Sequence, residues 1–421
     1  MSKIGNSNSA HMKALLMNRR FLTTFFLLLI FFVSIYLIVP IMFKGSYIIS
    51  NIATIVTSGD TVVLEEKEEK FIATHVKTPD SVRAIYMTSW VAGTPSIREN
   101  ILKLFDTTEA NAIVIDIKDD TGRVSFDVWN EKLNAIGSEE IRIGDLRELI
   151  ARLHSKGVYV IGRISSFQDP YMVRQKPEWA VKRASDGVIW KDRKGISWID
   201  AGARENWDYL VAIGHEAYDA GFDELNYDYI RFPSDGNMND IYYPFSEDNI
   251  LADPEWGKAK TIEAYFVYLY DSLKDSGAVL SADLFGMTTT NKDDLNIGQV
   301  LERALPYFDY IAPMVYPSHY PPTFIGLSNP AAYPYEVIDY SLEKALIRID
   351  ELKNSTTTPA WIRDRVHRGQ IRPWLQDFDL GAIYTADMVR AQIQATYDNG
   401  LTSFMLWDAA NTYTPGGLLP K

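Results

Sequence analysis

The chain has 421 residues, a net charge of −13, no cysteine, and an apolar fraction of 47% that includes 24 Tyr, 19 Phe and 10 Trp. This composition fits a large globular core and argues against disorder, and the acidic balance weighs against nucleic acid as the main partner, since phosphates need a basic face. Without cysteine there are no disulfides, thiolate nucleophiles or cysteine-held metals, and the six histidines show no ligand spacing, so neither metal nor cofactor is expected.

In chain order, the first readable element is Phe21 to Phe43, an uncharged run rich in Phe, Leu, Ile and Val. It is long enough to cross a hydrocarbon core of about 30 Å. Lys3, Lys13, Arg19 and Arg20 precede it and only Lys44 follows closely, which places residues 1–20 in the cytoplasm and the rest outside. The expectation is a retained signal-anchor at 21–43 in the cell membrane. The alternative is a cleaved signal peptide, but the run exceeds the usual apolar length of about 7–15 residues and no small-x-small site follows it. Residues 44–80, with the charge block Glu65-Glu-Lys-Glu-Glu-Lys70, read as a stalk, and residues 81–421 as the catalytic-type domain.

From Val82 a strand–loop–helix unit repeats. Candidate strands are Arg83–Thr88, Ala112–Ile117, Val158–Ile164, Asp223–Tyr229, Val279–Phe285, Tyr310–Val315, Ile371–Gln376 and Ser403–Trp407. Helical stripes lie between them, such as Leu146, Leu149, Ile150 and Leu153, closed by Gly157, or Ile262, Tyr265, Phe266, Leu269 and Leu273, closed by Gly277. Eight such units predict an α/β fold, a (β/α)8 TIM barrel behind one transmembrane helix. No eighth helix is expected after the last strand, and the segment before Val82 is the candidate to fill its place.

The carboxyl ends of the strands carry a ring of acids, bases and aromatics. The most informative stretch is Phe222-Asp-Glu-Leu-Asn-Tyr-Asp-Tyr-Ile-Arg-Phe-Pro233, an apolar strand running into charge. Asp228 is the candidate nucleophile, because an ionised carboxylate can stabilise an oxocarbenium-like centre, and Arg231 nearby would keep it ionised. Asp283, flanked by Leu284 and Phe285 that would desolvate it, is the candidate acid/base. The competing readings are a structural ion pair of Asp228 with Arg231 or Arg163, and a loop-holding role for Asp283 with Glu224 or an acid from a long loop donating the proton. Trp90, Asp116, Lys118, Arg163, Asn226, Arg231, Tyr316, His319, Trp374, Trp407 and Asp408 are the candidate substrate contacts, the aromatics as stacking platforms for sugar rings. Asp116 is also a candidate to hold Arg163, and Asp235-Gly-Asn-Met-Asn-Asp240 reads as a turn, since its Gly and acid are misplaced for a calcium loop.

Those residues sit in a run of motifs: Ala84-Ile-Tyr-Met-Thr, Asn111-Ala-Ile-Val-Ile-Asp-Ile-Lys-Asp-Asp-Thr-Gly122, Leu225-Asn-Tyr-Asp-Tyr-Ile-Arg-Phe-Pro233, Ser281-Ala-Asp-Leu-Phe-Gly286, Ile311-Ala-Pro-Met-Val-Tyr-Pro317 and Leu406-Trp-Asp408. In this order the chain resembles a glycoside hydrolase domain family of TIM barrels of uncertain substrate, distantly similar to α-amylases and α-galactosidases. The resemblance implies a (β/α)8 fold with Asp228 in the nucleophile position. It departs from α-amylase-like barrels at Asp283, where Glu is usual. The expected function is a membrane-anchored glycoside hydrolase facing outward and acting on a cell-wall or extracellular polysaccharide. The rival is a carbohydrate-binding or scaffolding barrel without chemistry.

Overall fold

The computed structural model describes residues 71–421. The expected cytoplasmic segment, the span at 21–43 and most of the stalk lie outside the described residues. Among the described residues no helix is long and apolar enough to cross a membrane.

Eight parallel strands close into a barrel in sequence order: β1 (Arg83–Met87), β2 (Ala112–Lys118), β3 (Tyr159–Ser165), β4 (Glu224–Asp228), β5 (Val279–Phe285), β6 (Tyr310–Met314), β7 (Trp374–Gln376) and β8 (Phe404–Trp407). The main helices between successive strands are α1 (Pro95–Leu102), α2 (Leu146–Ser155), α3 (Arg204–Ala220), α4 (Gly257–Leu273), α5 (Leu301–Ala304), α6 (Pro334–Asn354) and α7 (Ala386–Asp398). The α2 stripe Leu146, Leu149, Ile150 and Leu153 is buried as its spacing requires. Strand β7 is shorter than the sequence indicates. Pro373 has no amide to donate, so only Trp374–Gln376 pair as a strand, and Ile371 is left with an isolated bridge to Ile311.

Alternation along each strand divides the core in two. Ile85, Ile113, Ile115, Val160, Leu225, Tyr227 and Leu284 face the helices. Ala84, Tyr86, Ala112, Val114, Tyr159, Ile161, Trp374 and Met405 fill the barrel interior. Strand β4 stands apart, because Glu224, Asn226 and Asp228, spaced by two, are all buried and polar. At the amino-terminal end Glu224 is paired with Arg372, 2.8 Å away, and accepts from the Tyr159 hydroxyl at 3.0 Å. That pair closes the barrel floor and takes Glu224 out of contention as a site acid.

No helix follows β8 among the described residues. The carboxyl-terminal stretch returns to the start of the barrel instead, where the Leu419 carbonyl accepts from the Glu109 amide. The segment before Val82 does not fill the expected gap. It lies across β3 and β4: Asp223 accepts from the Val76 amide at 2.7 Å, His75 stacks on Tyr218 at 4.0 Å, and the Thr78 hydroxyl donates to Tyr159. The last residues of the expected stalk are therefore bound to the barrel.

Candidate active site

At the carboxyl end of the barrel the inward positions of β1 to β5 converge on one guanidinium. Arg163 of β3 donates through Nη1 to Asp116 of β2 at 2.7 Å, and through Nε and Nη2 to Asp228 of β4, the Nε contact being 3.1 Å. Its Nε also lies 3.7 Å from Asp283 Oδ2 on β5. One nitrogen thus stands between the two carboxyl groups singled out from the sequence. The Tyr86 hydroxyl donates to Asp116 from below, and the rings of Trp407 and Tyr86 flank the guanidinium. Tyr86 and Trp407 are stacked at 3.9 Å, with Trp374 edge-on to both.

Charge and burial set the protonation. Burial works against the Arg163 charge, but Asp228, Asp116 and Asp283 around it hold its pKa well above the usual value. Burial, and then the neighbouring Asp228 charge, push the Asp283 carboxyl well above the carboxylate range; Arg163 opposes this without overcoming it. Asp283 Oδ1 accepts from Asn226 Nδ2 at 2.9 Å and from the Trp374 indole at 2.7 Å. Two fixed donors on Oδ1 leave Oδ2 as the oxygen that carries a proton. The desolvation comes from the barrel interior, and Leu284, expected to supply it, faces the helices instead. At the end of β4, Tyr229 holds φ +52° while its amide donates to Asp228 Oδ1 at 2.5 Å. A bulky residue in that region is strained, and such strain concentrates where geometry must be held for function.

A cavity of about 300 Å³ opens above this cluster, lined by Arg163, Asp228, Asp283, Tyr316, His319, Trp374, Trp407 and Arg231 among the predicted residues. Asp116 and Asn226 lie beneath the lining, against Arg163 and Asp283. Three predictions fall elsewhere. Lys118 is fully buried, paired with Asp169 at 2.9 Å and donating to the Ser165 carbonyl, because the β2–β3 register shifts between Asp116 and Lys118. Trp90 is 58% exposed, carries Arg142 on its face and does not line the cavity. Asp408 accepts from the amides of Ala410 and Thr412, so it fastens the turn after β8. Arg231 reaches the cavity but is not the ion partner of Asp228. It lies over Trp198 and Tyr229, and Arg163 takes the expected role.

Residues that the sequence did not single out are Lys194 and Tyr229 in the lining, and Tyr86 below it; Phe285, named only for desolvating Asp283, and Met314, at a strand end, also line it. Tyr86 was legible as an inward strand position. Lys194 lies on a turn between β3 and β4 with no pattern to mark it. The loops 166–203 and 229–256 are clasped together: Asp200 accepts from the Phe245 amide at 2.7 Å, Trp190 Nε1 donates to the Asn237 carbonyl, and Asp235 accepts from the Arg193 amide. The supposed calcium-like stretch is part of that clasp.

A protein family described as "Putative glycosyl hydrolase domain" matches residues 84–413. The chain belongs to this glycosyl hydrolase family. Its barrel resembles the glycoside hydrolase domain of PgaB (BpsB) from Bordetella bronchiseptica, with a TM-score of 0.56 and 14% identity over 79% of this chain and 95% of that domain. Alpha-L-fucosidase isoenzyme 2 from Paenibacillus thiaminolyticus aligns with a TM-score of 0.50 and 14% identity, over 80% of this chain and 47% of the fucosidase. A hypothetical protein from Ruminiclostridium thermocellum is 32% identical over 47% of this chain and 96% of its own, with a TM-score of 0.42. No curated protein matches this glycosyl hydrolase chain in sequence.

Proposed function

We propose that this glycosyl hydrolase is anchored by residues 21–43 with its barrel outside the membrane, and that it cleaves a cell-wall or extracellular polysaccharide. Asp228 is the nucleophile and Asp283 the acid/base. The observation that carries this reading is Arg163 Nε, 3.1 Å from Asp228 Oδ2 and 3.7 Å from Asp283 Oδ2, at the floor of an open cavity. The guanidinium donates to Asp228, while burial and then the Asp228 charge push the Asp283 carboxyl well above the carboxylate range, so an arginine-paired carboxyl and a raised one face one space. Protonation of the glycosidic oxygen by Asp283 releases the leaving sugar. Asp228 bonds to the anomeric carbon as that sugar departs; water, giving a proton to the now ionised Asp283, then attacks the same carbon and displaces the Asp228 carboxylate. The two contacts to Nε hold the carboxyl oxygens too close together for most of the ~6.5–9.5 Å spacing of inverting enzymes, which favours retention. Trp407 and Tyr316 offer ring surface to the sugar, while the buried Trp374 holds Asp283 through its indole.

One observation favours the rival reading of a binding barrel: both Asp228 oxygens are engaged, one by the Tyr229 amide and one by Arg163. An ionised carboxylate has about four lone-pair sites, so these contacts leave capacity for attack. Turnover decides between the two. Against a panel of α- and β-linked glycans the chain releases reducing ends, and Asp228→Asn lowers the rate by roughly a thousandfold or more while keeping glycan affinity. A fully inactive chain that binds glycan equally well with either residue is a binding protein.

A further inference from the structure

The cavity carries more positive charge than its two carboxyl groups use. Besides Arg163, Lys194 and Arg231 line it. Arg163 is committed to Asp116 and Asp228. The other two are not committed: among the described residues, no carboxylate lies within ion-pair distance, 4.0 Å, of Arg231 or Lys194. Arg231 makes hydrogen bonds through Nη1 alone, to the Phe232 carbonyl at 3.0 Å and the Ser234 hydroxyl at 3.2 Å. Its guanidinium lies over the Trp198 and Tyr229 rings, which fix its plane and leave Nε and Nη2 without partners. The nearby acids are engaged elsewhere. Asp192 accepts from the amides of Lys194 and Ile196 and from the Trp198 indole, and Asp235 accepts from the Arg193 amide. Those bonds also hold rigid the turn that presents Lys194.

A half-buried arginine without an acid partner carries a desolvation cost that a structural role would have removed by pairing. Burial lowers its pKa in spite of Asp228, Asp235 and Asp192 nearby, so their charges do not compensate it. In a chain of net charge −13, this arginine and the exposed Lys194 beside a reaction centre are a local inversion of sign.

We infer that Arg231 and Lys194 form a subsite for a fixed negative charge on the sugar, so that the substrate is an acidic glycan bearing a carboxylate or a sulfate ester. This inference rests on the glycan-binding part of the proposed function and deepens it. The planar guanidinium suits either oxyanion in two-point contact, and Lys194 adds a point charge. Arg231 and Lys194 act here as specificity determinants; neither takes part in the bond-breaking step.

The test is binding to the full chain carrying Asp228→Asn, measured by calorimetry, so that it does not depend on turnover. The probes are oligogalacturonate and its methyl ester, and a sulfated galacto-oligosaccharide and its desulfated counterpart. The expected result is affinity roughly tenfold or more higher for one charged member than for its neutral partner. That preference falls in Arg231→Met and in Lys194→Met and shrinks with added salt, and the pair that shows it identifies carboxylate or sulfate. Neutral glycans bound as tightly as charged ones in both pairs, no binding of either charged probe, or a charge preference untouched by both substitutions overturns it. Release of reducing ends by the unsubstituted chain from charged and neutral glycans alike separately decides the hydrolase reading: turnover of any of them keeps it, whatever the charge preference.

Discussion

Each residue of the site is defined by what Arg163 does to it. Asp116 is pushed up by burial although Arg163 and Tyr86 both donate to it, and Asp283 is pushed up by burial and then by Asp228 across the same guanidinium. The same balance, without an arginine, acts on Asp377 just after β7. Its carboxyl is buried and accepts from the Thr414 amide at 3.1 Å; burial pushes its pKa up to about 6, with Asp408 and Asp379 adding to the shift. A folded-state pKa above the unfolded value of about 3.9 means stability that is complete below about pH 4 and is lost as pH rises through 6. Asp377→Asn keeps the acceptor without the charge. It therefore raises the melting temperature at pH 8, by the equivalent of about 3 kcal/mol, and leaves it unchanged at pH 4. Equal effects at both pH values in thermal melts would contradict this assignment. Asp228, Asp283 and Arg163 were legible in the sequence because a charge closing an apolar strand carries a desolvation cost that only a site or an ion pair offsets. Both possible partners of Asp228 were named, and the structure selects Arg163, near in space one strand away, over Arg231, near in sequence.

Among the strands, β3 is tightly packed at Gly162. Gly162 precedes Arg163 and faces outward, where a Cβ would lie 2.9 Å from a Phe222 ring carbon and 3.1 Å from Ile117 Cδ1. Only glycine lets the Phe222 ring and the β2 side chain close over the strand at that point. Gly162→Ala forces the strand inward or the ring outward, at a cost of about 1–3 kcal/mol. Because Arg163 is the next residue, turnover falls together with the denaturation midpoint. Full stability of this variant in urea would mean the ring has room to move. Strand positions were legible because alternation and flanking glycines mark them, and β5 falls where the pattern puts it. The shortened β7 and the shift between Asp116 and Lys118 were not, since a lone proline bond and a one-residue bulge leave the apolar pattern intact. The clasp between loops 166–203 and 229–256 was also hidden, being built from carboxylate-to-amide bonds that any polar loop could offer.

At the scale of the molecule, the barrel was legible from eight repeated units, while the way its ends are sealed was not. Asp223 binds the Val76 amide, the Val160 amide and His154, tying the segment that enters the barrel to β3 and β4. That contact joins residues far apart in sequence with no periodic signal. The whole arrangement, a sealed floor at Glu224 and Arg372 beneath an open cavity at Asp228 and Asp283, assigns chemistry to one face only. The most direct test is intact-mass analysis after exposure to a 2-deoxy-2-fluoro glycoside with an activated leaving group, matched to whichever glycan the chain hydrolyses. A single covalent sugar is expected on the peptide containing Asp228 and is absent from Asp228→Asn. A sugar on another carboxylate, or none on a chain that turns the parent glycan over, would contradict it.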